Sequence, residues 1–217
     1  MLKADLHIHT EYSMDCSSSL EKIIERCREL GINCIAIADH GTVEGALKMK
    51  ALAPFPVIVA EEILTPYGEI MGMFLEETIP SGQSVPETIA AIRAQGGLVN
   101  IPHPFDTVRP SALNRKHVEE IADQIDVIEV FNSRNLLKHN ARAALAFAQK
   151  HGIPHSAGSD AHTLQEIGNA YIEIPEFHGK EDFLRALAQG NVSGHRTNPL
   201  IHFNSSWAKF KNRLKGR

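Results

Sequence analysis

The stretch Ala4-Asp5-Leu6-His7-Ile8-His9-Thr10 opens the chain with an apolar run interrupted by two imidazoles. Side chains alternate between the two faces of an extended strand, so His7 and His9 are expected on one face and Leu6 and Ile8 on the other. Two imidazoles side by side with apolar neighbours behind them suit one edge of a metal site. Taken alone, the same pattern also describes a polar strand end with two solvated histidines. The rest of the chain discriminates, because the same event recurs: an apolar run stops on a polar residue, most often an imidazole or a carboxylate.

Residues 32–38 form an almost wholly apolar strand that stops at Asp39-His40-Gly41. Such a strand is expected where both faces of a sheet are covered. Residues 56–60 stop at Glu61-Glu62, residues 98–101 at Pro102-His103-Pro104, residues 127–131 at Asn132, and residues 155–158 at Ser159-Asp160-Ala161-His162. Helical patterns separate these strands at residues 20–30, 43–53, 85–95, 117–123 and 135–151. Ser19 and Ser84 are placed to cap two of them, and Gly31, Gly96-Gly97 and Gly152 to end three. Residues 63–75, with Pro66-Tyr67-Gly68 at the centre, read as a hairpin. A last strand is expected at 170–174 and a last helix at 180–189. Strand-helix alternation of this kind predicts a parallel sheet with crossovers. An open doubly wound sheet spreads its strand ends along a line, whereas a closed barrel gathers them on one rim. The repeated placement of polar residues at strand ends favours the barrel.

The chain has 217 residues, 43% of them hydrophobic and 22% charged, ordinary for one sizeable globular domain. Its net charge of −4 argues against a dedicated binder of long nucleic acid or of a membrane surface. Three cysteines (Cys16, Cys27 and Cys34) form no Cys-x-x-Cys pair, which points to a reducing compartment. No signal-like or membrane-spanning apolar run is present, so the expected location is cytoplasmic. Residues 1–217 read as one domain, with 203–217 a basic tail. Five basic and two aromatic residues between Trp207 and Arg217 suggest a docked amphipathic helix there.

His7, His9, Asp15, His40, Glu62, His103, Asp160 and His162 form the candidate metal-ligand set. Each alone has a structural explanation: His103 as part of a rigid turn, Asp160 as a helix cap, Asp15 as a turn residue. Together they are too many for one ion, which needs three or four protein ligands, and enough for two or three. Imidazoles and carboxylates without thiolate suit zinc, manganese or iron. Glu62 is the expected bridging carboxylate. Asp5 and Asp39 are candidates to orient an imidazole, since metal-bound histidines commonly donate their second N–H to an acceptor.

Asp5-Leu6-His7-Ile8-His9-Thr10, Ala38-Asp39-His40, Pro102-His103-Pro104 and Gly158-Ser159-Asp160-Ala161-His162 together resemble the four signatures of the PHP (polymerase and histidinol phosphatase) family. The resemblance runs in order over residues 1–195. It implies a distorted seven-stranded (β/α)7 TIM-like barrel, a centre of two or three divalent ions, and phosphoester hydrolysis with those eight residues as ligands. One departure stands out. Many family members carry a further histidine on the strand after Glu62, where this chain has Met71, with Glu69 two residues earlier as a possible additional ligand.

Arginine presents a planar fork that matches phosphate oxygens. Arg109, Asn132 and Arg134 are therefore the candidate substrate contacts. The expected activity is hydrolysis of a small phosphorylated metabolite or nucleotide by metal-activated water. Alternatives are exonuclease or phosphodiesterase action on short oligonucleotides, carbon–nitrogen bond hydrolysis, and a non-catalytic metal-binding regulatory module.

Overall fold

A computed structural model describes residues 1–197. The expected helix in the basic tail lies outside the described residues. Strand β1 (Leu2–Ile8) leads to helix α1 (Leu20–Leu30), β2 (Cys34–His40), α2 (Glu44–Leu52), β3 (Val57–Thr65) and β4 (Gly68–Met73). Helix α3 (Val85–Ala94), β5 (Leu98–Ile101), α4 (Arg115–Glu120), β6 (Val127–Asn132), α5 (Lys138–His151) and β7 (His155–Gly158) follow. The described part ends with β8 (Ala170–Ile174), α6 (Lys180–Leu187) and β9 (Asn191–Gly194).

Local chemistry explains the helix ends. Ser84 and Glu87 form a reciprocal capping box at α3, with Pro86 in its first turn. Gly31 takes a left-handed conformation after α1 and returns its N–H to the Arg28 carbonyl. Leu20, Ile23 and Cys27, spaced by three and four residues, are the buried stripe of α1. Several element bounds shift by one to a few residues from the expected ones, α4 among them at Arg115–Glu120 rather than 117–123, and two differences have a visible local cause. Helix α5 starts at Lys138 rather than 135, because Asn135 closes a turn on the Asn132 carbonyl. The short strand β9 follows α6 and pairs antiparallel with β8.

The sheet order is β7-β6-β5-β4-β3-β2-β1-β8-β9. The seven strands from β1 to β7 run in consecutive order, and the sheet curls until its two ends approach. His9 N–H donates to the Ala161 carbonyl at 3.0 Å and Asp160 N–H to the His7 carbonyl at 2.8 Å. This contact, just past β7, nearly closes the barrel at the strands' C-terminal ends. At its other end β1 pairs antiparallel with β8, so closure is incomplete. The barrel is distorted because β4 runs antiparallel to both β3 and β5.

Inside the barrel, Leu6, Ala36, Ala38, Ala60, Met71 and Ala157 pack together, with Phe183 of α6 in the same cluster. Outside, Ile35, Ile37, Val59 and Ile63 pack against buried residues of α1, α2 and α3. Strand β1 departs from simple alternation. A register shift lies between Asp5 and Ile8, so Leu6 joins the inner cluster while Ile8 joins the outer one. Leu6 and Ile8 therefore do not share a face as strict alternation predicts. The bulge changes the phase of the strand and turns His7 and His9 into the barrel mouth.

Candidate metal centre

Each strand end delivers its polar residue to that mouth. Residues 58, 60 and 62 of β3 share a face, so the parity that buries Ile58 and Ala60 inside carries Glu62 inward as well. The same parity on β2 takes Ala36 and Ala38 to His40. Two of the candidate ligands occupy left-handed backbone, His103 at φ 32° and Asp160 at φ 54°. Non-glycine residues adopt such conformations where surrounding contacts hold them, often at functional sites. A hydrogen bond of 2.6 Å from His103 N–H to Glu129 and one of 2.8 Å from Asp160 N–H to the His7 carbonyl do so here.

Glu62 is the hub. Its Oε2 lies 3.3 Å from His7 Nε2, 3.4 Å from His9 Nε2 and 3.5 Å from His40 Nδ1, and its Oε1 lies 2.9 Å from His103 Nε2. Asp15 comes from the loop after β1 and sits 3.1 Å from His162 Nε2 and 3.4 Å from His40 Nε2. Asp160 Oδ1 is 3.4 Å from His9 Nε2. Glu69, reached through the β3–β4 hairpin, lies 3.5 Å from His40 Nδ1 and 3.4 Å from His103 Nε2. Met71 pairs with Glu62 across the hairpin and points down into the inner core, where its sulfur accepts from Asn100 Nδ2.

Three groups of converging ligand atoms result: His9, Asp15, His40 and His162; His7, His9 and Glu62; and His40, Glu62 and Glu69. His103 and Asp160 lie beside these groups rather than in them, and several atoms in and beside the groups lack the partners that burial ordinarily demands. Among the described residues, Glu62 Oε2, Glu69 Oε2 and Asp160 Oδ1 accept no hydrogen bond, and the Nε2 atoms of His7 and His9 face each other at 3.2 Å. Buried, unsatisfied oxygens beside crowded ring nitrogens fit divalent cations. The donor set, imidazole and carboxylate without thiolate, suits borderline and hard ions.

The charge balance agrees. Burial opposes ionisation of Glu62, but His7 and the neighbouring imidazoles hold its carboxyl well below the usual range. Burial likewise opposes ionisation of Asp15, and His162 and His40 overcome it and hold it far down. For Asp160 the opposing burial is outweighed by Arg109 and His7. Burial works against protonated His9, yet Asp160 and Glu62 raise it to about 9. His162 moves the other way, to about 4, through burial and the charge on His9. Glu69 is pushed up by burial and by repulsion from Glu62, which His103 and His40 offset only in part.

The candidate substrate contacts are held inside this network. Arg109 Nη2 pairs with Asp160 Oδ2 at 2.6 Å. Arg134 Nη1 lies 2.6 Å from His162 Nδ1 and its Nε 3.3 Å from Glu166. Asn132 donates to Glu129 at 2.9 Å and to Asp160 at 3.2 Å. Among the described residues, neither Asp5 nor Asp39 pairs with an imidazole ring. Asp5 accepts from the Ser159 and Gly168 N–H groups, and Asp39 from the Thr10 N–H and hydroxyl. They tie the main chain beneath the histidines.

Glu129, absent from the sequence reading, is the residue that meets a ring: its Oε1 is 3.1 Å from His7 Nδ1. A single carboxylate at an inward position of the apolar run 127–131 was the available signal. Glu166 accepts from His162 N–H and faces Arg134, and nothing in its local sequence marks it.

A buried imidazole-carboxylate cluster on the C-terminal rim of a nearly closed α/β barrel defines a class of metal-dependent barrel proteins. The PHP domain matches residues 5–96 and the PHP-associated region residues 138–192. An uncharacterized protein of Methanocaldococcus jannaschii is 35% identical over 213 residues, covering 96% of this chain and 86% of that protein. The chain belongs to the PHP family.

Two solved structures share its fold. A candidate metal-dependent phosphoesterase from Bifidobacterium adolescentis aligns with TM-score 0.62 at 19% identity, over 74% of this chain and 87% of that one. A two-domain protein from Bacteroides vulgatus, containing a predicted PHP-like metal-dependent phosphoesterase, aligns with TM-score 0.66 at 17% identity, over 89% and 65%.

Proposed function

We propose that the protein is a metal-dependent phosphoesterase acting on a small phosphorylated metabolite or nucleotide. The observation that carries this reading is the sharing of Glu62, His9 and His40 among three converging ligand groups, with two arginines close by. In this reading His7, His9, Asp15, His40, Glu62, His103, Asp160 and His162 hold two or three divalent ions, with Glu69 as an additional ligand. Such ions, when bound, lower the pKa of water and neutralise phosphate charge.

The chain's own residues then have distinct tasks. Glu62 holds ligand groups of both halves of the cluster in one geometry. Arg109, paired with Asp160, and Arg134, whose charge acts on the same carboxylate, present guanidinium forks to phosphoryl oxygens. Binding a phosphate there exchanges their internal acceptors for substrate oxygens, so their charge is placed before substrate arrives. Beside Arg109 opens a cleft of about 490 Å³, lined in part by Phe105, Asp106, Asn114, Arg115 and His139. That size accommodates a small leaving group such as a nucleoside or sugar.

The test is a metal-supplemented screen of phosphomonoesters, phosphodiesters and short oligonucleotides, run with His9→Ala and Asp160→Ala in parallel. Hydrolysis that falls at least about a hundredfold in both variants supports the reading. Bound metal below one equivalent, or activity intact in both variants, refutes it. Cleavage confined to oligonucleotides would turn the assignment to exonuclease chemistry.

A further inference from the structure

We infer that the centre has two chemically unlike poles, and that Glu69 makes one of them selective for a harder divalent ion. The inference rests on the metal-centre reading above. At one pole His9, Asp15, His40 and His162 converge, three imidazoles against one carboxylate. At the other, His40, Glu62 and Glu69 converge, two carboxylates against one imidazole, with His103 Nε2 within 3.4 Å of both acids. Imidazole suits zinc, nickel and iron, while carboxylate suits magnesium and manganese.

Glu69 points into the site rather than to solvent. It is 5% exposed, its Oε2 accepts no hydrogen bond among the described residues, and that oxygen faces the His103 ring. The geometry follows from the hairpin. Strand β4 runs antiparallel to β3, with Glu62 opposite Met71 and Leu64 opposite Glu69. Glu69 and Met71 share the inward face one pleat apart. Met71 therefore fills the apolar level below Glu62, and Glu69 reaches the ligand level above it. Two buried acids that repel one another across this pole are stabilised together by a cation. An imidazole at position 69 would add a softer ligand and remove one negative charge.

Zinc outcompetes manganese at most sites of this kind, so the quantity to read is the ratio of the Mn²⁺ and Zn²⁺ dissociation constants for each class of site. The full-length protein, stripped of metal, is titrated with each ion. Manganese binding is followed by loss of the free-ion paramagnetic resonance signal, and zinc binding by competition with a chromogenic chelator. Wild type is expected to show two classes of site with different Mn:Zn ratios. Glu69→Gln should weaken Mn²⁺ at one class by about tenfold or more and leave the other unchanged. Glu69→His should shift the ratio at that same class towards zinc, and Glu69→Asp should retain manganese binding. Circular dichroism melting of each metal-free variant checks folding, and E69H and E69D keep the comparison open should E69Q fail it. Equal ratios at both classes in wild type, or unchanged ratios in E69Q and E69H, would overturn the inference while leaving the metal centre standing. Failure of wild type to bind either ion would overturn both.

Discussion

Replacing Glu129 by glutamine removes one charge and one acceptor from a carboxylate that serves three donors. Those donors are His7 Nδ1 at 3.1 Å, His103 N–H at 2.6 Å and Asn132 Nδ2 at 2.9 Å, on a residue 2% exposed. Glutamine has one acceptor oxygen and two N–H donors, so it can satisfy only one side of this arrangement. If its oxygen stays with His103 and Asn132, its amide faces His7 Nδ1 and forces that nitrogen to accept. The His7 proton then moves to Nε2, the atom that points at Glu62 and His9, and blocks it as a ligand. If the amide flips, it meets two donors instead, leaving buried N–H groups unsatisfied at about 1–3 kcal/mol each.

Either way His7 or the strained His103 backbone loses its support. Changing the acceptor of a ligating histidine typically costs about 10–100-fold in metal affinity. The expected result for E129Q is a fall of that size, about 1.4–2.8 kcal/mol at 1.4 kcal/mol per tenfold. Metal titration measures it, and nitrogen-15 NMR of the imidazoles reports the His7 tautomer. Unchanged affinity together with a proton still on His7 Nδ1 would refute the reasoning.

Two other perturbations follow from the same geometry. A side chain at Gly158 would collide with His7 Cβ and approach His7 N within 2.7 Å, so Gly158→Ala should destabilise the protein by about 3 kcal/mol in chemical denaturation. Tolerance of the alanine would mean that β7 does not press on β1 as described. In the metal-free protein His9 is raised to about 9 from an ordinary value near 6.5, so the stability it contributes is complete below about pH 6.5 and lost as pH rises towards 9. Asp15 and Glu62 are depressed, so their contribution is present above about pH 4 and is lost in acid. Melting temperature without metal should therefore fall on both sides of this window. Metal affinity should instead rise between about pH 6.5 and 9, because ligation requires neutral imidazole. A melting temperature that rises from pH 6.5 to 9 without metal would contradict the pairing of His9 with Glu62 and Asp160.

Much of this protein is written in local pattern. The bounds of α1, β5, β7 and β8 coincide with the expected ones, because caps, glycines and hydrophobic period act over a few residues. The gathering of strand ends on one rim was also legible, since a polar residue broke the apolar pattern at the same place on strand after strand. Long-range contact settled the rest. Strict alternation places Leu6 and Ile8 together, and the pairing of β1 with β2 and with the segment after β7 separates them through a bulge. Strand β9 exists because β8 offers it an edge, not because its four residues show strand character. Asp5 and Asp39 were natural partners for imidazoles by proximity in sequence, but the donors that come nearest belong to Ser159, Gly168 and Thr10. Glu129 meets His7 across 122 residues, and Glu69 reaches the cluster through the reversal of β4. Residue type and period are properties of neighbours along the chain, whereas which acid faces which imidazole is a property of register and closure, fixed only when the sheet curls on itself.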